Sequence, residues 1–410
     1  MLFIRTTFFI LLAAHWHLGL SCPQSDHSHP TREKAAEIAR NNNARRDVRN
    51  VPAPKKIAIE NVRVFDGEKL LPLRTVFING DTIVPYVKGA DVVDGNGGTL
   101  LPGLIDAHTH PSTVDHLETL SSFGVTTTIV ASCQPEAICE SIQNHTGLTD
   151  VRFSGLSANA PNSTHAKLLG LLPNETLTSP SQAPQFVDDQ LAKGATFIKI
   201  VAEQPDSTTL DQDIMNALVD AAHAKGVRVA CHAAGYAAAD RALTARVDQL
   251  HHVPQDTPTD EPLIARILAQ KAVSIPTLSI FRQFVMGGAA PPSAYSAANA
   301  SAHELYKASV PILAGTDSNS NPTLGLPFGK ALHDELELLV GAGMSTVDVL
   351  RSATVLAARH NLLFDRGVVA PGMRADLVLI SGDPIANISA TRDIQRVWIA
   401  GIEYEEVAAA

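Results

Sequence analysis

Six side chains able to bind a divalent cation or move a proton stand at the ends of apolar runs. They are His108 and His110 in "LPGLIDAHTHP", Lys199 in "TFIKIVAE", His232 in "VRVACHAAG", His252 in "VDQLHHV" and Asp317 in "PILAGTDS". Alternation along an extended strand puts His108 and His110 on one face, two residues apart. Imidazoles and carboxylates are ligands for Zn²⁺ or a related divalent ion. Taken singly, a histidine at a strand end is more often a hydrogen-bonded core residue than a ligand. Six such groups on one rim suggest a metal centre.

Lys199 is the most informative of the six. It shares a strand face with Phe197 and Val201, so its amine is expected to point inward. Burying an isolated ammonium is costly and favours the neutral form. One reading is an ion pair with a neighbouring carboxylate. The other is that the neutral amine adds CO₂ and becomes a carbamate, a two-oxygen anion able to bridge two metals.

The elements that must position these groups follow from the hydrophobic pattern. Eight strand-like runs can be counted: "GLIDAHTH", "VTTTIVAS", "VRFSGLSA", "TFIKIVAE", "VRVACHAAG", "VDQLHH", "AVSIPTLS" and "PILAGTDS". Helical stretches such as "LDQDIMNALVDAAHAKG" and "GKALHDELELLVGAG" lie among them. This α/β alternation predicts a (β/α)8 TIM-like barrel over residues 101–365, with the active site at the C-terminal ends of its strands. Short strands punctuated by Gly, Asp and Asn occupy 56–100 and recur over 366–410, which predicts a small β-sandwich built from both chain ends.

The 410 residues carry a net charge of −10, and no Lys/Arg stripe is visible, which argues against a nucleic-acid partner. Residues 1–21 read as a signal peptide, with Arg5, an apolar run from Thr6 to Ala14, and small residues Gly19 and Ser21. That run is short for a bilayer, so no stable membrane insertion is expected; an uncleaved anchor is the second reading. Residues 22–55 read as a polar linker with at most one short helix. Asn144, Asn162, Asn174, Asn299 and Asn387 each open an N-x-[ST] sequon, consistent with a secreted glycoprotein. Cys133 and Cys139 could form a local disulfide or remain two buried thiols. Cys231 points away from His232 and packs.

Together the quoted motifs resemble the amidohydrolase superfamily. "LHDELELLVGAGMSTVDVLRSAT" and "GVVAPGMRADLVLISGDP" are similar to that family's last helices and its return to the sheet domain, so the resemblance runs over about residues 56 to 405. The strand-four lysine resembles the binuclear branch that holds prolidase-like dipeptidases, aryl-amide hydrolases and ochratoxinase. The resemblance implies two divalent ions, zinc or a relative. His108, His110 and Asp317 would hold one and His232 and His252 the other, with carboxylated Lys199 between them. A shared hydroxide would attack an amide or ester of a small molecule, with Asp317 as ligand and base.

The chain departs from the family in places. His251 stands where relatives usually carry Glu; with His252 as the ligand, His251 is expected to face away from the barrel centre or to lie one layer behind. Ala234 replaces a second histidine. His165 in "NSTHAKL" replaces a Gly-Gly-His, making it a substrate or transition-state contact, or else an exposed loop residue. Tyr236 could donate to a substrate carbonyl, or simply pack. Asp106 could orient a neighbouring ligand, and Arg282 could pair with a substrate carboxylate, although a solvated arginine is the commoner case. A cyclic-amide, ester or lactone hydrolase would use the same groups. A mononuclear deaminase would need a Glu that "CHAAG" lacks, and a non-catalytic scaffold would have lost ligands. No phosphate loop, dinucleotide fingerprint or serine-hydrolase elbow is visible. The sequence is compatible with a homo-oligomer without specifying one.

Overall fold

The computed structural model describes residues 32–48, 55–204 and 208–405. The expected signal peptide lies outside the described residues. Among these residues no helix is long and apolar enough to cross a membrane.

The first and last strands share one sheet. β1 (Lys56–Val64), β2 (Arg74–Asn79), β3 (Thr82–Val84), β4 (Asp91–Asp94) and β5 (Thr99–Pro102) come from the N-terminal side. From the C-terminal side come a strand at Leu377–Ile380, one at Ile394–Ile399 and one at Ile402–Glu403. Their hydrogen bonding links them into one eight-stranded sheet. The reason is β1, which pairs β2 and β4 through its first half and β5 through its second. A register shift separates the halves, at Asn61 with φ 54°. Ile57, Ile59, Val62, Leu100, Leu377 and Trp398 belong to one apolar core, while Leu101, Val378, Ile380, Val397 and Ile399 pack into the larger core of the chain.

The middle of the chain is a TIM-barrel-like α/β fold. β6 (Leu104–Thr109), β7 (Val125–Val130) and β8 (Asp150–Phe153) form one parallel sheet. β9 (Ile198–Val201), β10 (Val229–His232), β11 (Gln249–His251) and β12 (Val273–Ile275) form another. Every residue of β6, β7, β9 and β10 is buried, as parallel strands covered on both faces require. Ala158, just past β8, donates to Lys199 O at 2.8 Å. On the other side the eighth run, 312–318, is held by bridges at Ser274–Ile312 and Thr109–Ser318. Ala107 donates to Ala314 O at 2.9 Å. Gly315 permits this approach, since a Cβ there would lie 2.5 Å from the Ile275 side chain and 3.0 Å from His108 N. Amphipathic helices cover the outside; Gln212–His223 buries Ile214, Met215, Leu218, Val219 and Ala222 at helical spacing.

The stretch expected to be a linker carries a 17-residue helix, Arg32–Val48. Its inner stripe is Ala35, Ala39 and Asn42, residues too small or polar to register as an apolar face. Asn42 donates to Ser112 O at 3.0 Å and accepts from Val114 N at 3.1 Å, on the loop that follows β6. Arg45 pairs with Asp115 and Glu118. Cys133 and Cys139 are joined as a disulfide, and Cys231 is buried. Asn144, Asn162, Asn174 and Asn387 are exposed; Asn299 is half-buried.

Candidate metal centre

β6 delivers His108, and the residue just past its end is His110, which continues the same face. Below them the buried Asp106 carboxylate accepts from His108 N at 3.2 Å and from Thr316 N and Oγ1 at 3.1 and 2.8 Å. It therefore ties β6 to the eighth run instead of touching an imidazole. Burial, working against those bonds, pushes its pKa up to about 8. Asp317 follows with φ 60°, a left-handed conformation unusual for a residue other than glycine. Asp317 N donates to His108 O at 2.7 Å and Asn319 Nδ2 to Asp317 O at 2.8 Å, which hold that conformation. Its Oδ1 lies 2.9 Å from His110 Nε2 and 3.5 Å from His108 Nε2. Ligand atoms of these three residues all fall within 4.8 Å of one another.

The other strand ends bring further imidazoles against this trio. The His252 ring lies 5.0 Å from His108 and 4.5 Å from His232. His165 lies 4.3 Å from His232. Lys199 Nζ is 3.0 Å from His251 Nδ1, and the His251 ring is 4.5 Å from that of His108. All six groups picked from the strand ends are thus neighbours, and all but the half-buried His110 are buried.

The electrostatics suit a cation. Burial, reinforced by neighbouring cationic groups, holds His108, His232 and His251 well below the ordinary imidazole value. Burial takes His252 down to about 3 against the pull of Asp317. Asp317 itself is buried, which would raise it. The hydrogen bond from His110 and the charges around it hold it below the usual carboxylate range instead. The neutral imidazoles of His108, His232 and His252 beside the Asp317 carboxylate form a donor set that fits a divalent ion. His108, His110 and Asp317 would hold one ion.

Other expectations meet a mixed outcome. His251 does not face away; it is fully buried between Lys199 and His108. The reason is that alternation ends with β11. His252 has φ 73°, so two consecutive histidines both reach the interior. His165 is no exposed loop residue: its Nδ1 meets Glu203 Oε1 at 2.7 Å, and Glu203 also accepts from Thr164 N and His165 N. Burial opposes ionisation of Glu203, but the His165 bond and charge prevail and keep it low. Tyr236 is drawn elsewhere, its hydroxyl donating to Asp260 Oδ1 at 2.8 Å. Arg282 lies 3.9 Å from Asp334, on the helix Lys330–Gly341. Sequence reasoning missed Glu203, although it continues the Lys199–Val201 face. It also missed Thr277, whose Oγ1 lies 2.8 Å from His252 Nδ1, and Gln249, which shares a face with His251.

A model of the amidohydrolase family matches residues 99–402. The chain belongs to that family. It is a metal-dependent amidohydrolase. An uncharacterized protein of Mycobacterium tuberculosis (strain ATCC 25618 / H37Rv) is 27% identical over 335 residues, 75% of this chain and 85% of that one. The structure is similar to a Xaa-Pro dipeptidase with methionine bound in its active site, at a TM-score of 0.75, 21% identity and coverage of 85% and 100%. It is also similar to ochratoxinase from A. niger, at 0.73, 17% identity and coverage of 88% and 98%.

Proposed function

We propose that this amidohydrolase is a secreted binuclear enzyme that cleaves the amide bond of a dipeptide or of an N-acyl or aryl amino-acid amide. It would work in a (β/α)8 barrel flanked by a β-sandwich made from both chain ends. The observation that carries this reading is the meeting of His108, His110, Asp317, His232, His252 and Lys199 at one set of strand ends. His108, His110 and Asp317 would hold one ion, and His232 and His252 a second, with Lys199, carboxylated by CO₂, as a further ligand. Zinc or a related ion bound there would supply Lewis acidity toward the substrate carbonyl and a water of lowered pKa. Asp317 takes a proton from the attacking water and returns it to the leaving nitrogen. Glu203 fixes the His165 ring beside His232, where it meets the substrate. The disulfide, the exposed sequons and the apolar N-terminal run support an oxidising, secretory compartment.

Metal analysis of the purified protein, followed by hydrolysis of dipeptides, N-acyl amino acids, aryl esters and lactones, tests this. Two ions per chain and amide cleavage are expected. One ion would favour a deaminase and none a scaffold. Preference for lactones, esters or cyclic amides would keep the centre and change the substrate.

A further inference from the structure

The reading above assigns no role to His251 or Gln249, yet the two form a line of hydrogen bonds whose direction is fixed from both ends. At the far end Gln249 Nε2 lies 3.0 Å from His360 O. A backbone carbonyl only accepts, so the amide NH₂ faces it and Gln249 Oε1 faces the other way. That oxygen lies 3.2 Å from His251 Nε2, which must therefore carry the proton. At the near end Lys199 Nζ, a donor, lies 3.0 Å from His251 Nδ1, which must therefore accept. The two ends require the same tautomer. His108 Nδ1 stands 3.1 Å from that same unprotonated Nδ1, so it carries a proton of its own. A neutral imidazole has one proton, which leaves His108 Nε2 bare, 3.5 Å from Asp317 Oδ1 and among the ligand atoms of the trio.

We infer that Gln249 and His251 are positioning residues that lock His108 as the Nδ1–H tautomer, so that its Nε2 lone pair faces the metal position. The one lone pair of His251 Nδ1 is shared between His108 Nδ1–H and an N–H of Lys199 Nζ. This rests on the metal reading of the site. It also explains why a second histidine can precede His252 without being a ligand: its ring nitrogens are committed to Gln249 on one side and to Lys199 and His108 on the other.

The test compares His251→Phe, which removes both ring nitrogens, with His251→Asn, whose side-chain oxygen can stand where Nδ1 accepts. Zinc affinity by chelator competition is expected to fall about 10–100-fold in His251→Phe and to stay within a few-fold of wild type in His251→Asn. Ring-nitrogen NMR of the metal-free wild type is expected to show His108 protonated at Nδ1. Gln249→Leu serves if the Phe variant fails to fold; it is expected to lower zinc affinity in the same direction. A His108 proton on Nε2, or equal affinity loss in the Phe and Asn variants, overturns the inference. So does undiminished affinity in His251→Phe or, where that variant does not fold, in Gln249→Leu. A wild type that binds no zinc fails the metal reading itself, a result distinct from these.

Discussion

Two polar clusters with buried members lie at opposite ends of the parallel strands, and they solve the cost of burial in opposite ways. At the N-terminal ends Arg366 reaches Thr127 Oγ1 at 2.9 Å, Asp150 at 2.6 Å and Asp365 at 2.9 Å. Arg374 meets Asp376 at 2.6 Å, and Arg152 meets Asp150 at 2.9 Å. Three arginines face three aspartates, so the charges close on themselves and join barrel to terminal sheet. At the C-terminal ends six imidazoles and an amine gather around Asp317, with Glu203 bound to His165, and burial keeps four of the imidazoles neutral, with lone pairs. A cluster that is complete without a ligand holds the fold. A cluster with spare lone pairs calls for a cation.

The comparison breaks if the two clusters respond alike to substitution. The largest effect belongs to the open one. Asp317→Asn is expected to lower kcat on the preferred amide by about 10²–10⁴-fold, the usual worth of a general base, and to weaken metal binding. The melting temperature of the metal-free protein is expected to stay near wild type. Activity that survives the substitution would remove Asp317 from the reaction.

The closed cluster should do the reverse. Arg366→Met strips a buried guanidinium from among Asp150, Asp365 and Asp376, the last already pushed up by burial. Loss of one partner from a buried ionic network costs about 3–5 kcal/mol, visible as a lower denaturation midpoint. Activity per folded molecule should be unchanged. A loss of kcat without a loss of stability would mean that the two ends of the strands are coupled.

How much of this was legible beforehand depends on backbone regularity. His108, Lys199 and His232 were readable because they sit on strands, where alternation assigns a face, and His110 because it continues the face of β6. Asp317 was readable from its motif, although it occupies a left-handed backbone position. The roles of His251 and His252 were not separable by alternation, since the chain leaves strand geometry between them. Asn42 and the helix Arg32–Val48 were hidden because their buried face holds alanines and an asparagine. The shared sheet was hidden because nothing in the β1 sequence announces that its two halves serve different partners.

Glu335 sharpens the comparison because it fits neither case. It is fully buried and is held by backbone donors, with Leu278 N at 2.9 Å and Ser279 N at 2.7 Å. Burial outweighs those bonds and pushes its pKa up to about 7. Between the ordinary glutamate value of about 4.3 and about 7 the folded protein keeps a proton that the unfolded chain has lost. Its contribution to stability is therefore full below about 4.3 and falls as pH rises across that window. The slope is at most about 1.4 kcal/mol per pH unit and vanishes above about 7. Glu335→Gln should remove this slope, so the stability difference between wild type and variant, measured by denaturant titration from pH 4 to 8, should tilt only inside the window. An identical pH dependence in both proteins would show that the carboxylate is ionised throughout and that its backbone donors, Ser279 and the Arg282 charge are enough to hold a buried charge. The position matters because the helix that Glu335 anchors begins next to Thr277, whose hydroxyl meets His252. A buried carboxylate held by backbone donors, with Arg282 as its nearby cation, can thus support the open cluster from behind.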